Sequence, residues 1–567
     1  MSLPDTPVLL WSDLEQHYAQ LEMRAVDPDN IYDFLLDWSE LEKSVAETGT
    51  FLQLAVDLNT ADSAAFERLS VFYRVIQPKI TIANAALRRK AVAVTNPKLP
   101  KEANLVLRRM QTDETVYRKE NVPLEAEESE LKAEYSRMTG NQVVEFEGRH
   151  LTIPEIQRLL QEPDRNARER AWRAWQQNRL QLAPELDALF LKLLSTRRQM
   201  AKNAGMRSYR ELIWFKYHRY DYTPQNCYEF QDSVESEVVP FASALLDQHR
   251  KAMGIDRLQP WDFYWKAPVD PYGRHALQPF KTVEELENGI ERAFIALDPE
   301  LGCQFAEISR GFADLCSRPN KMSHAYCASF PKRQMPFVLE NVVGTEDDVQ
   351  VTLHEFGHAF HGYASMRSQP LIWNHFSATE FVEVPSQAME VLALPLLGKT
   401  IGGFYSDSEL GRVYETQISR VVHLMTWVAF MDSIQHWIYA EASDDVTIEE
   451  IDEKAAELIS RFMPQTDWTT FPRELRKCWH YHHIFTAPFY YVEYALSWLG
   501  ALQLWQQSLS DREKTLSNYR SSIELGDSRS VPELFHAAGA KFAFDRDTIR
   551  AMMEFLRDQM DRFCARR

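Results

Sequence analysis

At 567 residues, with 45% hydrophobic and 26% charged side chains, the chain is too long for one small core and too evenly balanced for a disordered or membrane-embedded protein. Its formal charge of −19, with no basic stripe or polybasic tail, excludes nucleic acid and anionic membrane surfaces as expected partners, since nothing would release phosphate counterions. The six cysteines (Cys227, Cys303, Cys316, Cys327, Cys478, Cys564) have no CxxC spacing, and residues 1–25 lack the basic start and long apolar run of a secretory signal; the expectation is a cytoplasmic protein whose reduced thiols fill the core.

Between residues 30 and 94 apolar side chains recur at three and four, first as Ile31, Phe34, Leu35, Trp38 and Leu41, then as Leu69, Phe72, Tyr73 and Ile76, which predicts amphipathic helices. Pro97 and Pro100 interrupt the pattern, helices resume at Lys101, and the acidic run from Glu125 to Glu134 reads as a solvated helix face. Val143, Val144, Phe146, Leu151 and Ile153 flank a turn at Gly148 and predict a short β-hairpin over 142–153. Helical spacing continues from Arg165 to Asn203, with Gly205 placed as a C-cap. A boundary at residue 190 leaves 1–190 as an N-terminal helical lobe.

The stretch 258–279, rich in proline and tryptophan, reads as a connection whose aromatics pack. Helical spacing returns over 282–297, and 325–343 is rich in strand formers, with Pro331 and Pro336 pointing to an edge strand. Such a strand, with Phe337, Val338 and Leu339 at its centre, would offer backbone hydrogen bonds to an extended peptide. The apolar run 421–431 is far shorter than the roughly 20 residues of a membrane span.

Residues 347–364 read DDVQVTLHEFGHAFHGYA, with acidic residues in the first turn and Val349, Leu353, Phe356 and Phe360 as a buried stripe; this is a helix. His354 and His358, four apart, present their imidazoles on one face at a spacing that suits a single zinc ion. Glu355, beside that face, is placed to take a proton from water activated at the metal. A catalytic zinc needs a third protein ligand. His361 lies about 10 Å along the axis from His354 at about 1.5 Å per residue, too far to close a tetrahedron, and reads as a neighbouring polar or substrate-side residue. The metzincin pattern fails on residue type, since Ala364 stands where its third histidine belongs.

Downstream, 376–394 reads FSATEFVEVPSQAMEVLAL, a second helix if Pro385 falls in its first turn. Glu383 and Glu390 share a face, while Glu380 falls outside the expected helix; spacing leaves the choice between Glu383 and Glu390 open. Gln387 and Glu390 are also candidates to orient metal ligands.

HEFGHAFH and FVEVPSQAMEV together resemble the two zinc helices of the M3 family of zinc peptidases, in its oligoendopeptidase F and Pz-peptidase branch. The resemblance implies that Glu383, 29 residues after His354, is the third ligand. It extends through 325–353 and through HHIFTAPFYYVEYALSWLGALQLW at 482–505, and covers about residues 190–555. Ser323 and His324 depart from it, where the bacterial branch has a glycine. It further implies that His483, Tyr491 and Tyr494 aim donors at the oxyanion of the tetrahedral intermediate, with Tyr490 beside the substrate. Tyr491 and Tyr494, three apart, would be neighbours on a helix. The family's helices enclose a deep channel that admits only short peptides.

The expectation is therefore a mainly α protein with a zincin-like (thermolysin-type) core and a small sheet beside the zinc helix. Residues 191–567 form the metallopeptidase region, which takes one Zn2+ per chain and cleaves internal bonds of oligopeptides. Two rival readings stand beside it, a di-iron carboxylate oxidoreductase and an inactive peptide-binding relative. Glu355 to His358 is also an ExxH, the unit used twice in di-iron carboxylate bundles, but another copy, Glu147 to His150, contains Gly148 of the hairpin. An inactive peptide-binding relative would be expected to lack a ligand or the base, and all are present.

Overall fold

The structure is a computed structural model that describes residues 8–264 and 267–564. Its contacts divide the chain into two units, each discontinuous in sequence: Met1–Glu114, Ala276–Leu410 and Ser497–Phe542 in the first, Thr115–His275, Gly411–Leu496 and Ala543–Arg567 in the second. The boundary expected at residue 190 falls inside a 39-residue helix, Arg165–Asn203. A division by contacts recruits segments that sequence order cannot connect.

In the second unit, helix Val122–Gly140 carries the acidic run mostly to solvent, although Glu128 is buried and receives Arg197 Nε at 2.8 Å. Strands β1 (Val143–Phe146) and β2 (Arg149–Thr152) pair antiparallel across Glu147 and Gly148, both at positive φ, the geometry of a two-residue hairpin turn. Val144 and Leu151 point from the hairpin into a cluster with Trp172, Trp261 and Phe471. Helix Arg165–Asn203 ends where Gly205, at φ 75°, lets Met206 N–H reach back to Ala201 O. The stretch read as a plain connection contains two short antiparallel strands, β3 (Phe263–Tyr264) and β4 (Ala267–Pro268).

In the first unit, Ile31, Phe34, Leu35 and Trp38 close into helix Ile31–Leu58 and are almost wholly buried. A π turn, Phe72–Ile76, widens the backbone just before Pro78, so the expected stripe breaks: Phe72 and Ile76 stay buried, whereas Tyr73 is 52% exposed. The sheet beside the HExxH helix has β5 (Ala313–Cys316), β6 (Tyr326–Phe330) and β7 (Met335–Val342) in the order β5-β7-β6, with β5 parallel and β6 antiparallel to β7. The strand expected at the edge is therefore central. Phe337, Val338 and Leu339 are fully buried; Val338 and Leu339 pair with both β5 and β6 and Phe337 with Ala328 of β6, so this strand offers no free edge to a peptide. A proline fits in this central strand because β5 begins pairing only at Val338, so at Pro336 the strand has one neighbour, Ser329.

Of the five described free cysteines only Cys227 is fully buried; Cys303 and Cys316 are exposed, so the thiols are not uniformly core filler. No helix among the described residues is long and apolar enough to cross a membrane.

Candidate metal centre

Helix Glu346–Ser368 starts on Thr345, whose Oγ1 accepts Asp348 N–H, while Asp348 Oδ2 accepts the N–H groups of Val343, Gly344 and Thr345. Val349, Leu353, Phe356 and Phe360 are all fully buried, with Phe356 against Phe305 at 4.4 Å and Phe360 against Phe294 at 5.0 Å between ring centroids. That packing fixes the roll of the helix and leaves His354 and His358 together on another face, their rings 4.8 Å apart.

The second helix, Thr379–Leu392, begins earlier than its sequence suggests. Glu380 lies inside it, and Pro385 is in its second turn. Pro385 lacks the N–H that would bond Phe381 O, and its own carbonyl accepts from Tyr519 Oη at 3.3 Å. Gly357 is the reason the two helices meet so closely. A Cβ there would stand 2.5 Å from Ser386 Cα and 2.8 Å from Pro385 O, so only glycine lets the backbones touch. The contact brings Glu383 level with the two histidines.

Glu383 Oε2 stands 3.3 Å from His354 Nε2 and 3.3 Å from His358 Nε2, and the three donor atoms lie within 4.8 Å of one another. His354 Nδ1 faces Glu390 Oε1 at 2.8 Å. A carboxylate only accepts, so Nδ1 carries a proton and Nε2 can present its lone pair, the tautomer a metal ligand needs. Burial works against a charged ring, but Glu383 and Glu390 outweigh it and hold His354 well above the usual imidazole range. Burial likewise opposes ionisation of Glu383, yet His358 and His354 hold it well below the usual carboxylate range. A point that concentrates protons beside two imidazoles and a carboxylate suits a divalent cation for the same electrostatic reason. Two imidazole nitrogens and one carboxylate oxygen are a fitting set for zinc.

Glu355 is buried beside this set, and its Oε2 finds no hydrogen-bond partner among the described residues. Burial raises its pKa, against the pull of His354 and His358. His361 has a different role from its neighbours: Nε2 lies 3.0 Å from Ser377 Oγ, which donates to Gly526 O at 2.8 Å. It ties the helix to the core, and burial pushes its pKa down to about 3, so the ring is neutral.

Spacing alone does not rank Glu390 against Gln387; Glu390 meets the His354 ring, whereas Gln387 Oε1 has no hydrogen-bond partner among the described residues. Glu340, on β7, was not singled out from the sequence. Both its oxygens lie 3.0 Å from Thr352 Oγ1, and burial pushes its pKa up to about 8 against the pull of Thr352 and Lys321. Its acidic neighbours on the helix, Glu355 and Asp348, act in the same direction as burial.

In the second unit the chain gathers His483, Tyr490, Tyr491 and Tyr494. The His483 ring is 4.7 Å from Tyr491, 6.0 Å from Tyr494 and 6.1 Å from Tyr490, and Tyr491 is 5.2 Å from Tyr494. Tyr491 precedes helix Val492–Ser508 and Tyr494 lies in its first turn, so they are neighbours at a helix start. Burial holds Tyr491 far above the usual phenol range and pushes His483 down to about 4. Both are neutral donors near pH 7.

The same unit holds a second convergence of donors, Cys227, Asp432 and His436, all buried. Here His436 Nδ1 faces Arg210 Nη1 at 3.0 Å. Arginine only donates, so the proton of the neutral ring sits on Nε2 and no lone pair is left for a metal. The other ExxH units are also accounted for: Glu147 sits in the hairpin turn and His150 in β2, while Glu533 and His536 lie in the short helix Val531–Ala537, where the Glu533 carboxylate accepts from Ser530 at the helix start and from Lys101 Nζ. Neither supplies a second pair of the di-iron type.

The family model for peptidase family M3 matches residues 158–554, starting upstream of the resemblance visible by eye. Oligopeptidase PepF of Bacillus subtilis (strain 168) is 20% identical over 346 residues, 60% of this chain; the match spans about half, 49%, of that relative's length. Among solved structures, a Pz peptidase A with an inhibitor superposes at a TM-score of 0.85 with 21% identity, covering 99% of this chain and 98% of that one. A candidate oligoendopeptidase F superposes at 0.84 with 22% identity over 98% of each chain. These likenesses establish the fold.

Proposed function

Because the chain belongs to peptidase family M3, we propose that it is a zinc-dependent endopeptidase that cleaves internal bonds of short oligopeptides. The observation that carries the reading is the convergence of His354 Nε2, His358 Nε2 and Glu383 Oε2, with Glu390 holding the proton on His354 Nδ1. His354, His358 and Glu383 would hold one zinc, which when bound supplies Lewis-acid polarisation of the scissile carbonyl and lowers the pKa of water.

The remaining work falls to side chains. Glu355 takes the proton of the attacking water on a carboxylate oxygen and passes it to the leaving amine nitrogen. Its unpartnered Oε2 is an acceptor in waiting, and its raised pKa brings it closer to neutrality, where a base can both take and return a proton. His483, Tyr491 and Tyr494 donate hydrogen bonds to the carbonyl oxygen as it gains charge, and Tyr490 contacts the substrate. Neutral donors fit this role because they give a proton's share without leaving. With β7 central, the strand that would receive an extended peptide is β6, at the edge of the sheet; its Cys327 thiol lies within the field of Glu355. Enclosing helices would limit substrates to short peptides, and the free cysteines support a reducing, cytoplasmic setting.

Zinc analysis combined with a quenched-peptide assay tests the proposal. Wild type should hold one zinc per chain and cleave internal bonds. Glu355→Gln should keep the zinc and lose about 10²–10⁴-fold in kcat. Retention of most activity would remove Glu355 as the base, and intact zinc without cleavage by wild type would make the protein a peptide binder.

A further inference from the structure

The segment that carries His483, Tyr490, Tyr491 and Tyr494 runs from the short helix His482–Thr486 to helix Val492–Ser508 through Phe489, which has φ +65°. A left-handed phenylalanine is disfavoured, because Cβ crowds the backbone carbonyl, and it persists only where its surroundings over-determine it. The surroundings here do so on every side. The ring is fully buried against His436 at 5.2 Å, Tyr439 at 5.6 Å and Trp214 at 5.9 Å. Its N–H donates to Gln435 Oε1 at 2.7 Å, and its carbonyl accepts Arg219 Nη2 at 2.6 Å.

The same Nη2 donates to Glu493 Oε1 at 2.6 Å, with both side chains fully buried. Arg219 therefore holds the residue before Tyr490 and the residue before Tyr494. It is itself fixed at the end of helix Tyr209–Lys216: His218 turns left-handed at φ 53°, Arg219 N–H returns to Trp214 O at 3.0 Å, and the guanidinium lies 4.6 Å over the Trp214 ring. One guanidinium nitrogen reaches both acceptors while the planar group stacks on the Trp214 ring, and that stacked placement is an arginine property that a lysine ammonium does not share.

We propose that Arg219, assisted by Gln435, is a positioning residue for catalysis: it locks the left-handed turn at Phe489 and so sets where the hydroxyls of Tyr490, Tyr491 and Tyr494 point. The inference rests on the proposed role of those tyrosines as donors. A buried ion pair alone would argue only for folding, and weakly. The bond to the Phe489 carbonyl adds geometry that charge neutralisation does not require.

Two variants test it. Arg219→Lys keeps the charge opposite Glu493 but not the planar stack on Trp214 that sets where the donor sits, and Gln435→Met keeps the volume but removes the acceptor for Phe489 N–H. Each is measured for kcat, KM, zinc content and Tm, alone and combined with Tyr494→Phe. We expect kcat to fall about 10–100-fold with KM within about threefold and zinc at the wild-type level. Tyr494→Phe should then add less than its own full factor, because both changes act through one hydroxyl. Wild-type kcat in both variants, or losses that multiply in full with Tyr494→Phe, would overturn the positioning role while leaving the donor assignment intact. If Tyr491→Phe and Tyr494→Phe by themselves leave kcat unchanged, the donor assignment fails and the positioning role fails with it. Should Arg219→Lys not fold, Gln435→Met decides.

Discussion

His354 and His358 in one unit, and Asp432 and His436 in the other, are i,i+4 pairs on a helix, each joined by a third donor from a separate helix, Glu383 or Cys227. Burial does not separate them in favour of the first, since the second set is the more deeply buried. What separates them is the partner of one ring nitrogen. Glu390 can only accept and frees Nε2 of His354; Arg210 can only donate and ties the proton of His436 to Nε2. Convergence of metal-ligating residue types is therefore insufficient, and the outer partner decides whether it becomes a metal centre.

The comparison can be broken first at Glu390. Glu390→Leu should weaken zinc binding about 100-fold and Glu390→Gln about tenfold, read by competition with a chelator; wild-type affinity in both would show that the tautomer argument is wrong. Next is the contact that presents Glu383 to the histidines. Gly357→Ala forces a methyl into Ser386 and should cost about 1–3 kcal/mol with partial loss of zinc, measured by thermal melts and metal content. An unchanged Tm would mean that the two helices can separate freely.

A smaller effect comes from Glu340, which meets Thr352 of helix Glu346–Ser368. Its folded pKa, about 8, lies above the ordinary carboxylate value, so the folded state keeps a proton that the unfolded chain releases. Its contribution is fully present at acid pH and is lost as pH rises from about 4.5 through 8, at up to about 1.4 kcal/mol per pH unit. Glu340→Gln should flatten that decline between pH 6 and 8 in thermal melts; an unaltered slope would mean Glu340 is already ionised. The smallest expected change sharpens the comparison from the other side. Cys227→Ala and Asp432→Asn should leave zinc stoichiometry at one per chain, and loss of a tightly bound second equivalent in either would restore that cluster as a metal site.

Much of the first centre was legible because its grammar is local. A helix repeats every 3.6 residues, so HEFGH displays two imidazoles on one face wherever it is a helix, and the buried stripe at Val349, Leu353, Phe356 and Phe360 says that it is. The same periodicity gave the amphipathic helix at Ile31–Leu58 and failed at Tyr73, where a π turn interrupts it. The glutamates of the second helix could be counted but not ranked, since Glu383 and Glu390 share a face and differ only in what lies opposite.

The sequence by itself determined that this chain carries a metallopeptidase-type helix, a second acidic helix and a His/Tyr block, because residue type and short-range spacing fix which side chains share a face. Only the tertiary structure decided that β7 is central, that Gly357 lets two backbones touch, that Glu390 rather than Gln387 orients His354, and that Arg219 holds Phe489. Each of these depends on groups distant in the chain meeting at hydrogen-bond or van der Waals range. A proton's position on an imidazole, or a strand's place in its sheet, follows from that meeting and not from the residues on either side.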